Sequence, residues 1–260
     1  MGDLVRLERG DDRVAVVTLD RPAQLNAIGT PTLGELGGVL DQLEGDEAVG
    51  AVVVAGEGKA FSAGADVAEL DGLDGPRAFA RFVRRFTDTY GRLARLPQPT
   101  IAAIHGAALG GGFELALACD LRVAAAGARL GVPEIRLGVL PAAGGTARLT
   151  KMLPPAVAKQ LLMTGEPLTA ADAHRLGLVN LVVPDDQVLV ASRALAARLA
   201  AGPPRALAAA KRLVDDGASV PLEAAIVLER ETVAGLFGTA DRAEGTAAFL
   251  AKRPPSFHGR

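Results

Sequence analysis

The 260-residue chain holds one cysteine, one tyrosine, three histidines and no tryptophan, and aromatic residues make up only 3% of it. A single thiol excludes a disulfide within the chain and any CxxC metal or redox centre. Cys119 follows Ala118 in an apolar run and reads as a buried, inert thiol. His105, His174 and His258 have no metal-ligand spacing, and His105 reads as a satisfied strand-end histidine. With 28 basic and 30 acidic residues the net charge is −2, which gives no electrostatic case for nucleic acid or an anionic membrane. The N-terminal MGDLVRLERG lacks a basic-then-apolar signal pattern, and Arg6 breaks the myristoylation pattern. The small-residue region 100–132 is interrupted by His105, Glu114, Asp120 and Arg122, so it does not read as a membrane span. A soluble cytoplasmic protein is expected.

What is abundant is small and apolar. Hydrophobic residues reach 49% and there are 31 glycines, so the core must be alanine, valine and leucine packed closely around glycine. Residues 4–7 and 14–19 flank the turn 9-RGDDR-13 as a hairpin. A helix is expected over 31–43, with Thr30 as N-cap ahead of Pro31. The runs 51-AVVVAG-56 and 100-TIAAIHG-106 predict buried strands. Between them Phe79, Phe82, Val83 and Phe86 fall at helical spacing, which predicts an amphipathic helix over 76–95. Further strands are expected near 121–124 and 130–132. Strands alternating with helices predict an α/β architecture with parallel pairing. From about residue 192 the pattern is helical only, broken at Pro203-Pro204, with helices over 204–215, 221–235 and 241–252. The expected division is a core over 1–195 and a helical region over 196–260.

Two nucleotide-binding motifs fail. Gly56-Glu57-Gly58 follows a strand, but Phe61 stands where the dinucleotide fingerprint needs its third glycine. Gly58-Lys59 is followed by Ala60 and preceded by Val53 at the first P-loop position. No G-x-S-x-G is present, which removes the usual hydrolase nucleophile elbow.

Three loops remain. In 108-ALGGGFELALA-118 glycines give way to helix formers, so a helix should start near Gly111 with free N–H groups at its positive end. Glu114 then lies in the first turn, either as a capping carboxylate on a tight packing joint or as a group beside a bound acyl chain. The loop 59-KAFSAGADVAEL-70 carries Gly64, and Asp66 can order it through Asx-type bonds; an ordinary βα turn is the alternative. The segment 131-GVPEIRLGVLPAAGGTARL-149 carries Glu134, which alone could be a solvated turn carboxylate.

In order and spacing these loops resemble the enoyl-CoA hydratase/isomerase (crotonase) family. The resemblance rests on 60-AFSAGAD-66, 105-HGAALGGGFE-114 and 133-PEIRLGVLPAAGGT-146. It continues in 19-LDRPAQLNAI-28, 164-TGEPLTAADAHRLGLVNLVVP-184 and 249-FLAKRPPSF-257, so it covers nearly the whole chain. Three positions depart from the family pattern: His105 stands where Asn is usual, Ala142 where Gly is common, and Ala68 where many members have Lys.

The resemblance implies a crotonase-like spiral of ββα units, followed by helices that support a homotrimer or a dimer of trimers. It implies an acyl-CoA substrate, with backbone N–H groups of Ala65 and Gly111 forming an oxyanion hole. It implies Glu114 and Glu134 as the acid/base pair of a hydratase that adds water to a trans-2-enoyl-CoA. Such help is worth about 10²–10⁴-fold in rate. Ala63, Asp66, Val67 and Lys59 are implied near coenzyme A, with Lys252 and Phe257 reaching it from the C-terminal region. Phe79, Phe82 and Phe86 fall where members line the acyl pocket, although core packing is the plainer role for at least two of them. No metal or separate cofactor is implied, coenzyme A being part of the substrate. Double-bond isomerisation, another acyl-CoA lyase reaction and a non-catalytic, RNA-binding role are the alternatives on the same scaffold.

Overall fold

The computed structural model describes residues 3–260; Met1 and Gly2, where the myristoylation pattern begins, lie outside the described residues. The chain opens with the expected hairpin, β1 (Val5–Arg9) against β2 (Val14–Leu19). Helix α1 (Thr30–Leu43) follows, then β3 (Ala51–Gly56), α2 (Val67–Asp71) and α3 (Gly75–Arg95). Next come β4 (Thr100–Ile104), β5 (Ala107–Leu109), α4 (Gly111–Ala118), β6 (Leu121–Ala125) and β7 (Arg129–Gly131). After a 3-10 turn at Pro133–Leu137 the chain forms α5 (Gly145–Met152), α6 (Pro155–Thr164), β8 (Leu168–Thr169), α7 (Ala170–Arg175) and β9 (Leu181–Val183). The last four helices are α8 (Val188–Ala200), α9 (Pro204–Gly217), α10 (Leu222–Phe237) and α11 (Ala240–Leu250).

Six strands form one sheet in the order β1-β2-β3-β4-β6-β9, parallel except for the first hairpin. Its central members are short β-branched or alanine runs, buried on both faces, as parallel strands covered by helices must be. A second sheet, β5-β7-β8, stands apart, and the chain runs from β5 into α4 and from β7 into the 3-10 turn at Pro133–Leu137. This is the α/β architecture with parallel pairing that the alternation of strands and helices predicts.

Two details differ from the sequence-based expectation. Thr30 is not the N-cap of α1: Gly29 is, and Thr30 is the first helical residue. The reason is tertiary: Glu69 from α2 accepts from the Thr30 N–H and hydroxyl, which draws the side chain to α2 and away from the first-turn N–H groups it would otherwise cap. The division expected at 195/196 falls inside α8, whose Val188, Ala196 and Ala200 are buried and which packs on β3, β4 and β6. The chain leaves the core after α8, where Pro203-Pro204 interrupts the helices as expected.

Helix α9 is tied back to the core by Lys211, whose Nζ lies 2.9 Å from Asp120 Oδ2. The C-terminal segment folds onto α11, where Asp241 accepts from the His258 and Gly259 N–H groups at 2.8 Å each. Helix α10 buries none of its side chains within the chain. No described helix is long and apolar enough to cross a membrane.

Candidate active site

The first βα loop is stitched to β5 by backbone bonds. Ser62 N donates to Ala107 O at 3.0 Å and Leu109 N donates to Ser62 O at 3.0 Å. On its other side Ile28 N donates to Gly64 O and Asp66 N to Ile28 O. The loop is therefore fixed on both flanks, and Ala65 N is left without an acceptor among the described residues. Gly64 sits at φ +108, and a Cβ there would stand 2.7 Å from Leu109 O. Both its backbone conformation and its neighbour require glycine.

Helix α4 begins at Gly111, and its first N–H likewise has no acceptor among the described residues, as expected at a helix N-terminus. A Cβ built on Gly111 would lie 3.4 Å from Ala65 N, so the two free donors are neighbours. Tyr90, fully buried on α3, donates its hydroxyl to Gly111 O at 2.8 Å. Edge-to-face contacts with Phe86, whose ring packs in turn on Phe82, hold the tyrosine ring in place. At the other end of α4, buried Arg122 donates to Ala116 O and Cys119 O, satisfying terminal carbonyls and matching the helix dipole.

Glu114 projects from the first turn of α4 and is 3% exposed. Its Oε1 accepts from Ala143 N at 2.8 Å and Gly145 N at 2.7 Å. Burial raises its pKa, and the two backbone donors and the Arg148 charge pull it back down. Glu134 comes from the 3-10 turn, and a Cβ on Gly110, itself at φ +50, would stand 2.9 Å from Glu134 Oε1. A glycine at 110 thus lets the second carboxyl lie over the start of α4. Glu134 Oε2 is buried without a partner, and burial pushes its pKa up to about 7, with Glu114 adding to the rise.

Both glutamates, Ala65 and Gly111 line one cavity of about 110 Å³. Its remaining walls are apolar: Leu70, Phe79, Phe82, Val83 and Phe86 on one side, and Leu137, Val139, Leu140 and Ala142 on the other. Phe82 and Phe86 serve the core and the cavity at once, being 5% and 3% exposed. A desolvated pair of carboxyls with unequal proton affinities, beside two convergent N–H donors, can shuttle a proton while stabilising an oxyanion.

The other candidates are spread out. Val67 lies at the cavity wall and Ala63 on the exposed part of its loop. Asp66 turns its carboxylate inward, accepting from Ala68 N and Glu69 N at the start of α2 as an Asx-type turn demands, and it also pairs with Arg21 at 2.6 Å. Lys59 is exposed beside that loop, outside the cavity lining. Lys252 and Phe257 follow α11, Phe257 packs against Gly245, and neither reaches this cavity within the chain. His105 points away too, with Nε2 3.1 Å from Gly58 O. The Cys119 thiol is buried and pushed up to about 12, in keeping with an inert role. Tyr90 and Arg148 carry no sequence pattern that marks them; only their contacts do.

The family model described as enoyl-CoA hydratase/isomerase matches residues 9–260. The chain belongs to this family. It is 42% identical to a protein of Mycobacterium bovis described as a probable enoyl-CoA hydratase, over 99% of each chain. It is 40% identical to the 2,3-dehydroadipyl-CoA hydratase of Escherichia coli, over 95% of this chain and 96% of the relative. The crystal structure of an enoyl-CoA hydratase from Bacillus anthracis superposes with a TM-score of 0.96 at 36% identity, over 99% of this chain and all of that one.

Proposed function

We propose that the chain is an enoyl-CoA hydratase, a hydro-lyase that adds water across the 2,3-double bond of a trans-2-enoyl-CoA. The observation that carries this is the pair Glu114 and Glu134 on one cavity with the free N–H groups of Ala65 and Gly111. The thioester oxygen accepts from both N–H groups. Glu114 takes a proton from water as its oxygen bonds to C3, and the π electrons move to the thioester oxygen as enolate charge. Glu134, held protonated near neutral pH by burial, delivers its proton to C2. The proton on Glu114 returns to Glu134 through the shared solvent, so water is consumed and the enzyme is restored. An oxyanion donor of this kind is worth about 3 kcal/mol, a further factor of about 100 in rate. No step uses a metal or a separate cofactor.

The cavity walls also bear on the acyl group. Apart from the two glutamates they carry no charged side chain among the described residues, so an uncharged acyl chain fits best. A second carboxylate, of the kind named for the Escherichia coli relative, would be desolvated here without a cation. Coenzyme A is proposed to run along the 60–67 loop, meeting the backbone at Ala63 and Ala65 and the side chain of Val67, with Asp66 shaping the loop and Lys59 near a phosphate. Lys252 and Phe257 would serve a neighbouring subunit. Exposed Leu222, Ile226, Val233 and Phe237 on α10, with Phe249 and Leu250 on α11, support a homotrimer or a dimer of trimers. A cytoplasmic location goes with this reading.

The test is incubation with crotonyl-CoA, longer 2-enoyl-CoAs and 2,3-dehydroadipyl-CoA, following loss of the conjugated thioester absorbance. Turnover of the uncharged substrates is expected, with kcat/KM at least ~100-fold above that for the dicarboxylic one, since an unpaired buried carboxylate costs several kcal/mol. Absence of turnover on every substrate refutes the reading. A solution mass of a single chain would refute the oligomer.

A further inference from the structure

The two carboxyls share one cavity, yet their supports differ. Glu114 Oε1 is held by N–H groups from the 141–145 loop, and the loop is in turn held by Arg148 from α5, which donates to Ala143 O at 3.0 Å. The guanidinium fills the space over Gly144, where a Cβ would stand 2.2 Å from its Nη1. Arg148 has no ion-pair partner among the described residues, and because it is half-buried solvent screens its charge only in part. It does not line the cavity. Among the described residues Glu134 has no clamp from another loop, only its own backbone N–H, no cation offsets its burial, and its Oε2 is buried bare.

We propose that Arg148 is the positioning residue that assigns the base role to Glu114. It fixes the loop that donates two N–H groups to Glu114 Oε1 and sets a positive charge on that side of the site, leaving Glu134 to carry the proton. The inference rests on the hydratase reading. The groups facing Glu114 are Arg148 from α5, Tyr90 from α3 and Glu134 from the 3-10 turn, and Cys119 at the end of its own helix faces Tyr90 and Arg148. Tyr90 and Cys119 are both held neutral by burial, so neither competes as a charge near neutral pH. Asp215 on α9 also faces Arg148 and does not line the acyl cavity. Arg148 is therefore the cation that distinguishes the two glutamates, in accord with the opposing shifts that burial and the Arg148 charge impose on Glu114.

The test is the pH dependence of kcat on crotonyl-CoA for the wild type, Arg148→Gln and Arg148→Lys. Losing the charge should move the acid limb up by about one pH unit, the low end of what an adjacent guanidinium does to a carboxyl. It should also lower kcat at least about tenfold at neutral pH, with KM within about twofold because Arg148 touches no substrate. Arg148→Lys keeps the charge and should hold the limb near its wild-type position. An unmoved limb in Arg148→Gln, or the same shift in both variants, overturns the proposal. Arg148→Met, which keeps the aliphatic stem, replaces the Gln variant if that does not fold. If neither folds, Arg148 is a scaffold residue and the proposal falls. A wild type without turnover defeats the hydratase reading instead, so the two failures are distinct.

Discussion

Gly64 offers the sharpest test of the oxyanion geometry. In Gly64→Ala the new methyl would lie 2.7 Å from Leu109 O, and that oxygen cannot step aside without shifting β5. Side chains also rarely adopt φ +108, and left-handed backbone costs about 1–2 kcal/mol for a residue with a Cβ. Relief must come from parting the 62–66 loop from β5, which moves Ala65 N away from Gly111 N. Losing one of two oxyanion donors costs about 2.7–4 kcal/mol in the transition state, or about 10²–10³ in kcat. Stability should fall by about 1–3 kcal/mol. The assay pairs kcat on crotonyl-CoA with thermal unfolding. Gly72→Ala, at φ −79 with no neighbour nearer than 3.6 Å to its new Cβ, is the control and should leave both unchanged. A folded Gly64→Ala with kcat within threefold of wild type would refute the placement of the donors.

Tyr90→Phe keeps the edge-to-face stack but leaves Gly111 O without its buried side-chain donor. It should cost about 1–2 kcal/mol in unfolding free energy, with a smaller loss in kcat than Gly64→Ala. Glu134→Gln should raise thermal stability at alkaline pH. The folded pKa of about 7 lies above the ordinary 4.5, so the unfolded chain ionises first as pH rises. The wild-type penalty therefore grows between about 4.5 and about 7 and is constant above, and the gain over wild type should vanish in acid. A gain that instead increases towards acid pH would contradict the assignment. The kcat–pH profile of the wild type should be bell-shaped, because one carboxyl must be ionised and the other protonated; the limbs belong to the pair.

The parts of this fold legible in the sequence are those with strong periodicity. The β3 and β4 runs, the apolar stripe of α3 and the glycine-to-alanine transition at Gly111 each carry one dominant local signal. Strands β5, β8 and β9 are only two or three residues long, too short for a pattern, and they exist because loops are drawn together. Thr30 shows the same limit at a helix end, where Glu69 from 39 residues away displaced the local cap. The α8 boundary failed to show because an alanine- and leucine-rich helix looks alike on the sheet and off it.

At the site, Glu114 alone was ambiguous, and only its agreement with two other loops marked it. The structure explains why it is tolerated in apolar company: two backbone N–H groups and a guanidinium stand where the sequence shows only PAAGGTARL. Tyr90 and Arg148 were illegible for the same physical reason, since each acts through a carbonyl that no motif encodes.

The most direct test of the account is kcat for hydration of crotonyl-CoA by Glu114→Gln and Glu134→Gln. Gln keeps the volume and removes the titrating proton. Each variant should lose at least about a hundredfold while retaining its fold, as the loss of a general acid or base requires. Near-normal kcat in either one would contradict the claim that these two carboxyls carry the reaction.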